Sequence, residues 1–338
     1  MEYKKITYLL GAGASFNTLP LVDGIPDLLN DFQITLRSLY KNSPESKKNK
    51  VNTSLLEELC KELTWLELSC REHMSIDTFA KKLSTTGPDY DLKKLKRILT
   101  LMFSYYQLIR KPQMRYDAFI AALIDHKTRQ LPSHIKILTW NYDFQIEKAY
   151  SEYINSESID KIQKDLCVYP SNCNVIDPEK FLVCKINGST FFINKENYHT
   201  IGNSISKNNN EQLLDDIFTH YGYPLSQIQF AINFAWEDQS KNKLEKIKEY
   251  IQGTKTLVVI GYSFPFFNRE SDQFLLRELD LERIYFQTVK DDVNDMVESF
   301  KAIKDMPADR IFRITQVRQF HIPNFEPVDY GPVVSLPN

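Results

Sequence analysis

The side chains best suited to chemistry in this chain fall in four short clusters. They are Gly11-Ala12-Gly13-Ala14-Ser15 with Asn17 just beyond, Thr139-Trp140-Asn141-Tyr142-Asp143, Asn187-Gly188-Ser189 and Gly261-Tyr262-Ser263. The first follows a short apolar and β-branched run, Lys5 to Leu10. A strand running into Gly-x-Gly and then a helix start builds a cradle for a nucleotide phosphate. The helix points its N–H groups and positive dipole end at the anion. On this reading Gly11 allows the tight turn and Gly13 lets the backbone approach the phosphate. Phe16 stands where Gly-x-Gly-x-x-Gly would place its third glycine, so a plain strand-to-helix turn also fits this cluster.

The elements that must carry these clusters alternate in type. Apolar runs predict strands at Ile135–Trp140, Phe181–Ile186, Thr256–Ile260, Arg283–Val289 and Arg310–Val317. Helical spacing marks Phe144–Tyr153, Lys241–Gln252 with Gly253 as its stop, Asp272–Leu279 and Val293–Ile303. The fold class is therefore α/β, a Rossmann-like parallel sheet with helices on both faces. In such sheets ligands bind at the carboxyl ends of the strands, which is where all four clusters fall. A single domain spans 1–338, with a helical subdomain inserted at about 28–127 and an irregular insertion at about 194–240. Within the first insertion Asp27 caps a helix from Leu28 to about Tyr40, and Lys41 to Asn52 form a polar surface loop.

Composition narrows the class. The chain has 338 residues, a formal net charge of −2, 42% hydrophobic and 25% charged residues, as an ordinary globular protein does. No global field favours nucleic acid or an anionic membrane, so neither is expected as a direct partner. The five cysteines contain no Cys-x-x-Cys pair, which argues against a structural zinc module and suits reduced thiols. No metal is expected. The first apolar run is too short for a signal sequence, no stretch approaches a membrane span, and the expected location is cytoplasmic.

Taken together, the clusters resemble the sirtuin-like superfamily, especially the bacterial sirtuin-like proteins of antiphage defence. Gly11-Ala12-Gly13-Ala14-Ser15 is similar to the family's Gly-Ala-Gly-x-Ser phosphate loop, and Gly24-Ile25-Pro26-Asp27 to the start of its Gly-Ile-Pro-Asp-Phe-Arg cofactor loop. Thr139-Trp140-Asn141-Tyr142-Asp143 resembles the Thr-x-Asn-Tyr-Asp of the defence branch, and Gly261-Tyr262-Ser263 its Gly-Tyr-Ser strand end. The resemblance spans Gly11 to Ser263. It implies that NAD is the ligand, held by Gly11, Ala12, Gly13, Ala14, Ser15, Asn17, Gly24, Asp27, Thr139, Gly188, Gly261 and Ser263. It implies catalytic roles for Asn141, Asp143 and Asn187 in hydrolysing NAD to nicotinamide and ADP-ribose, depleting NAD in defence. Such effectors are held off by their assembly, so a homo-oligomer or a partner defence protein is expected, with the helical insert as the contact surface.

Two departures bear on this reading. Leu28 and Leu29 replace the Phe and Arg of the deacylating enzymes, which disfavours a deacylase. Lys185-Ile186-Asn187-Gly188-Ser189 carries Asn187 where the family motif has its catalytic histidine. An amide has no titratable lone pair near pH 7, although it can hold a ribose hydroxyl or orient a water. Asn187 thus marks an active variant relying on Asn141 and a bound water, a silent NAD or ADP-ribose sensor within a defence complex, or a loss offset by His199 or His220. Asp143 has a bland reading as the cap of the helix after it. Trp236 has one as buried packing beside an exposed Glu237.

Overall fold

The computed structural model describes residues 2–16, 18–43, 53–172, 176–194, 197–201, 210–237 and 241–326. Its centre is a seven-stranded, wholly parallel sheet. The strands are β1 (Lys5–Leu10), β2 (Ile135–Thr139), β3 (Val168–Tyr169), β4 (Leu182–Lys185), β8 (Thr254–Ile260), β9 (Arg283–Gln287) and β10 (Ile311–Ile314). Their spatial order is β10-β9-β8-β1-β2-β4-β3. From β1 the chain adds β2, then the edge strand β3, then β4 between them, and it returns to the other side of β1 to build outward through β8, β9 and β10. β1 and β8 therefore flank the topological switch point, where open α/β sheets form their ligand crevice.

Alternation along each strand supplies both cores. Ile6, Tyr8 and Leu10 of β1, with Val258 and Ile260 of β8, face one apolar cluster, while Leu9, Leu257 and Val259 face the other. Strands buried on both faces need helices on both. The first face is covered by α1 (Ile25–Asn42), α2 (Thr53–Glu72), α3 (Ile76–Thr86), α4 (Asp89–Ile109) and α5 (Met114–Leu123), all lying between β1 and β2, and by α6 (Gln145–Ile154), α7 (Ile159–Asp165) and α8 (Asn210–Gly222). The second is covered by α9 (Lys241–Ile251), α10 (Arg269–Leu276) and α11 (Val293–Lys301). Local signals explain the ends. Ser75 accepts the Thr78 amide at 3.2 Å to cap α3, and Gly253 takes φ +80° to stop the chain after α9. No helix among the described residues is long and apolar enough to cross a membrane.

Three expectations change. No α-helix opens at the cradle: Ala12–Ala14 is one 3-10 turn, because the two prolines and the glycine of residues 20–26 delay the first α-helix to Ile25. That helix starts before Leu28, so Asp27 stands in its first turn with Gly24 at the cap. The insertion expected to be irregular is in large part ordered. It carries β6 (Asn197–His199) and β7 (Gln229–Phe230), which pair antiparallel to β5 (Phe192–Asn194), as well as α8. Alternation in strands of two or three residues is too short to read from sequence. Residues 195–196, 202–209 and 238–240 of this stretch lie outside the described residues.

Parallel register sets Leu10 level with both Thr139 and Ile260. The turns leaving β1 and β8 therefore collide unless both are glycine. A Cβ on Gly261, at φ +56°, would sit 2.5 Å from the Gly13 carbonyl carbon, and one on Gly11 would sit 2.5 Å from Gly261 O. Gly261→Ala is expected to cost about 2–4 kcal/mol in urea unfolding, combining left-handed strain with a backbone clash. Gly253→Ala, with φ +80° and open space around it, should cost only about 1 kcal/mol.

Candidate functional site

The four clusters converge on one edge of the sheet, at the carboxyl ends of β1, β2, β4 and β8. The Gly11 amide continues the ladder to Ile260 O at 3.0 Å, and the Gly13 amide donates to Gly261 O at 3.0 Å. The glycines thus let two turns meet each other backbone to backbone. Ala14 N–H donates to Gly11 O and Ser15 N–H to Ala12 O, so the loop satisfies two of its donors internally and two through β8 and its turn. Ala12 is exposed, and its amide has no partner among the described residues.

Behind the loop lies a connected polar network. Ser15 Oγ donates to Asp143 Oδ2 at 2.6 Å, which leaves its lone pairs to accept from the Tyr116 hydroxyl at 2.9 Å and from Asn141 Nδ2 at 3.2 Å. Asn141 Nδ2 also donates to Gly11 O at 2.9 Å, tying the end of β2 to the end of β1. The Asn141 amide itself is held by Thr139 Oγ1 at 3.0 Å. Asp143 Oδ1 accepts from Gln145 N at 3.1 Å, so this residue serves the start of α6 as well as the loop. Lys185, in the otherwise apolar β4, donates to Asp143 O and lies 2.8 Å from Glu147 Oε1. The Lys185–Glu147 contact is an ion pair without an aligned hydrogen bond. Burial pushes the Asp143 and Glu147 carboxyls above the ordinary carboxylate range, and the Lys185 charge pulls both back. Asp143 is 5% exposed, so it acts on the open site through Ser15 and Asn141.

The other candidates are placed as follows. Asn187 is buried at the end of β4, and its Nδ2 donates weakly to Trp140 O at 3.4 Å. Asn233 N donates to Asn187 O at 2.8 Å, so the segment after β7 covers this end. Gly188 has φ +76°, and a Cβ there would strike Ala231 O at 1.7 Å, so this glycine serves the turn. Ser263 is exposed beside Gly261. Gly24 packs on Pro20, where an added Cβ would sit 2.7 Å from the Pro20 Cβ. Asp27 is exposed and pairs with Arg71 of α2 at 2.7 Å, next to a cavity of about 340 Å³ lined by Val22, Pro26, Arg71 and His73. A second cavity of about 430 Å³, lined by Leu55, Arg97, Tyr221 and Tyr223, likewise contains no strand-end residue. Asn17 lies outside the described residues.

The candidate flanking groups resolve towards packing. Trp236 stacks on Phe234 at 5.3 Å, and Glu237 is largely buried, paired with Lys96 at 2.7 Å, where exposure was expected. His220 packs on the Phe192 ring at 4.6 Å and is bonded to Asp216 O, and burial lowers its pKa.

Sequence reasoning missed the residues that hold the loop from behind. Arg115 and Tyr116 of α5, with Gln113 before it, reach Gly13, Ala14, Ser15 and Phe16 from about a hundred positions away. No local pattern announces such a contact. Lys185 and Glu147 did carry a signal, a lysine in a buried parallel strand and a glutamate on the inward face of a helix, because such charges are buried only when paired. In comparisons with known proteins, no family model matches the chain and no curated protein matches it in sequence.

Tyr262, next to Gly261, stacks on Trp140 at 5.9 Å, and its hydroxyl donates to Asp272 at 2.8 Å. Burial pushes the Asp272 carboxyl up to about 7, against the pull of that hydroxyl. The folded state therefore binds this proton more tightly than the unfolded chain. The stabilisation is complete below the unfolded pKa of about 3.9 and is lost as pH rises towards 7. Asp272→Asn keeps an acceptor for Tyr262 and is expected to flatten the fall in thermal stability between pH 5 and 8. It should leave the variant more stable than the parent at pH 8 by roughly 1–4 kcal/mol.

Proposed function

We propose that the strand-end site binds NAD and hydrolyses it to nicotinamide and ADP-ribose, as an effector in antiphage defence. The reading rests on the resemblance of the four clusters to the sirtuin-like family. The observation that carries it is the bond from Asn141 Nδ2 to Gly11 O, which makes one continuous site of the β1 and β2 ends, beside the switch point between β1 and β8. Gly261 and Ser263 extend that site along β8.

In the reaction the bond between nicotinamide nitrogen and ribose C1′ breaks, and its electron pair leaves with neutral nicotinamide. Water adds to C1′ and releases a proton. The transition state resembles an oxocarbenium ion, so the protein's part is to hold the ribose and place one water. Asn141 is suited to that part. Its amide is fixed by Gly11 O and Ser15 Oγ, and Ser15 is in turn fixed by Asp143. Assembly into an oligomer, or with a partner defence protein, would regulate it.

A second reading, a silent NAD or ADP-ribose sensor, is favoured by one observation: the strand end that would carry the family's histidine presents the Asn187 amide, bonded to Trp140 O. Purified protein incubated with NAD separates the two. Nicotinamide release, lowered about 10- to 100-fold by Asn141→Ala, supports hydrolysis. Tight NAD binding without release, with release gained in Asn187→His, supports the sensor. Absence of both binding and release rules out NAD as the ligand.

A further inference from the structure

The α4–α5 corner grips the loop between β1 and α1 at successive points. Arg110 Nη1 donates to Thr18 O at 2.5 Å, Gln113 to Phe16 O, and the Tyr116 hydroxyl meets Ser15 Oγ at 2.9 Å. Arg115 makes the largest set. Its Nη2 donates to Gly13 O at 2.7 Å and to Ala14 O at 2.8 Å, its Nη1 to Val317 O at 3.2 Å, and its Nε to Gln113 Oε1 at 3.3 Å. The two loop carbonyls belong to the last residues of the Ala12–Ala14 turn, where carbonyls lack partners of their own. A planar guanidinium matches two such acceptors while reaching a third, which an ammonium on a flexible stem does not.

The same guanidinium also reads the C-terminal segment. Its carbon lies 5.3 Å from the Phe320 ring centre, and that ring packs on Tyr116 at 4.9 Å and Phe119 at 5.6 Å. Gln287, at the end of β9, anchors this segment by donating to Gln316 O and Gln319 O, each at 2.6 Å, and by accepting from His321 N at 2.9 Å. Loop, helical insert and C-terminal segment therefore meet at one side chain.

We propose that Arg115 is a positioning residue for the strand-end site: it fixes the Gly13 and Ala14 carbonyls, and so the loop shape the ligand meets, and couples that shape to the helical insert and to residues 316–321. As a statement about NAD, the inference rests on the function proposed above. The position and charge of the loop then depend on a residue that touches no ligand itself. Anything that moves α5 or the segment at Val317 moves the loop through it.

Calorimetric titration with NAD of the full-length protein tests this. Arg115→Ala is expected to weaken binding about tenfold or more, Arg115→Lys to fall between it and the parent, and added guanidinium to restore binding to Arg115→Ala. Val297→Ala, a cavity in the opposite core, serves as a control of matched stability loss and should keep the parent affinity within about twofold. Equal affinity in Arg115→Ala and the parent overturns the proposal, and so does equal weakening by the control. If the parent does not bind NAD, the function fails while the positioning role is still read by hydrogen exchange. Faster exchange at Ala14 and Ser15 in Arg115→Ala than in Val297→Ala supports that role, and equal exchange overturns it.

Discussion

The contact on which the site depends is the meeting of two backbone turns at the middle of the sheet. Leu10 and Ile260 are level in the parallel ladder, so the chain leaving β1 and the chain leaving β8 emerge side by side. They fit because Gly11, Gly13 and Gly261 have no side chains, and the Gly13 amide turns the near-collision into a 3.0 Å hydrogen bond to Gly261 O. Gly261 alone of the three takes the left-handed conformation. The entry into the loop is therefore set by sheet geometry, and Arg115 holds the Gly13 and Ala14 carbonyls beyond it. This fits a preorganised site, in which the ordering is complete within the fold.

A second constraint works from below. Asp143, Glu147 and Lys185 place two carboxylates and one ammonium out of water, an arrangement whose desolvation cost is large unless every partner stays in place. The cost is offset by specific geometry. Lys185 spans α6 and the end of β2, while Asp143 is tied to Ser15 and to the start of α6. Removing one member would strand the others, so the network ties the loop, the end of β2 and α6 to a single arrangement. Asn141 inherits that rigidity, which gives a neutral amide a fixed direction.

Much of this was legible in the sequence. The alternation of strands and helices gave the parallel sheet, because runs such as Leu257–Ile260 are apolar on both faces and admit few alternatives. The strand-end clusters were legible because small residues and amides stand out against apolar runs. The close approach of the two turns was not: Gly-x-Gly announces room for a close neighbour, and only the pairing of β1 with β8 shows that Gly261 is one. Gly24-Ile25-Pro26-Asp27 matched a motif by residue type, yet Asp27 ends in a surface pair with Arg71. The clamp by Arg115 depends on a tertiary contact between Pro112-flanked helix ends and a loop about a hundred residues earlier, which no periodicity encodes.

The distribution of ionisable groups also bears on the kind of chemistry that suits this site. At the strand ends Ala12 and Ser263 are exposed and Asn141 is half-buried, and none of the three titrates near neutral pH. The carboxyls lie behind them, Asp143 under Ser15 and Asp272 under Tyr262, both buried. Acyl or phosphoryl transfer to water gains much from a general base that contacts the nucleophile, and these carboxyls are shielded from that contact. Glycosidic cleavage with a neutral leaving group makes a smaller demand. Were the substrate the NAD proposed above, its own pyridinium charge would drive departure, and the cation formed would capture water before that water needs to lose its proton. A rigid amide and a shaped backbone loop can serve such a step by orientation alone. On that proposal Asn187, standing where the motif it resembles has a histidine, is a smaller obstacle to bond cleavage than it would be to any reaction that begins with proton abstraction.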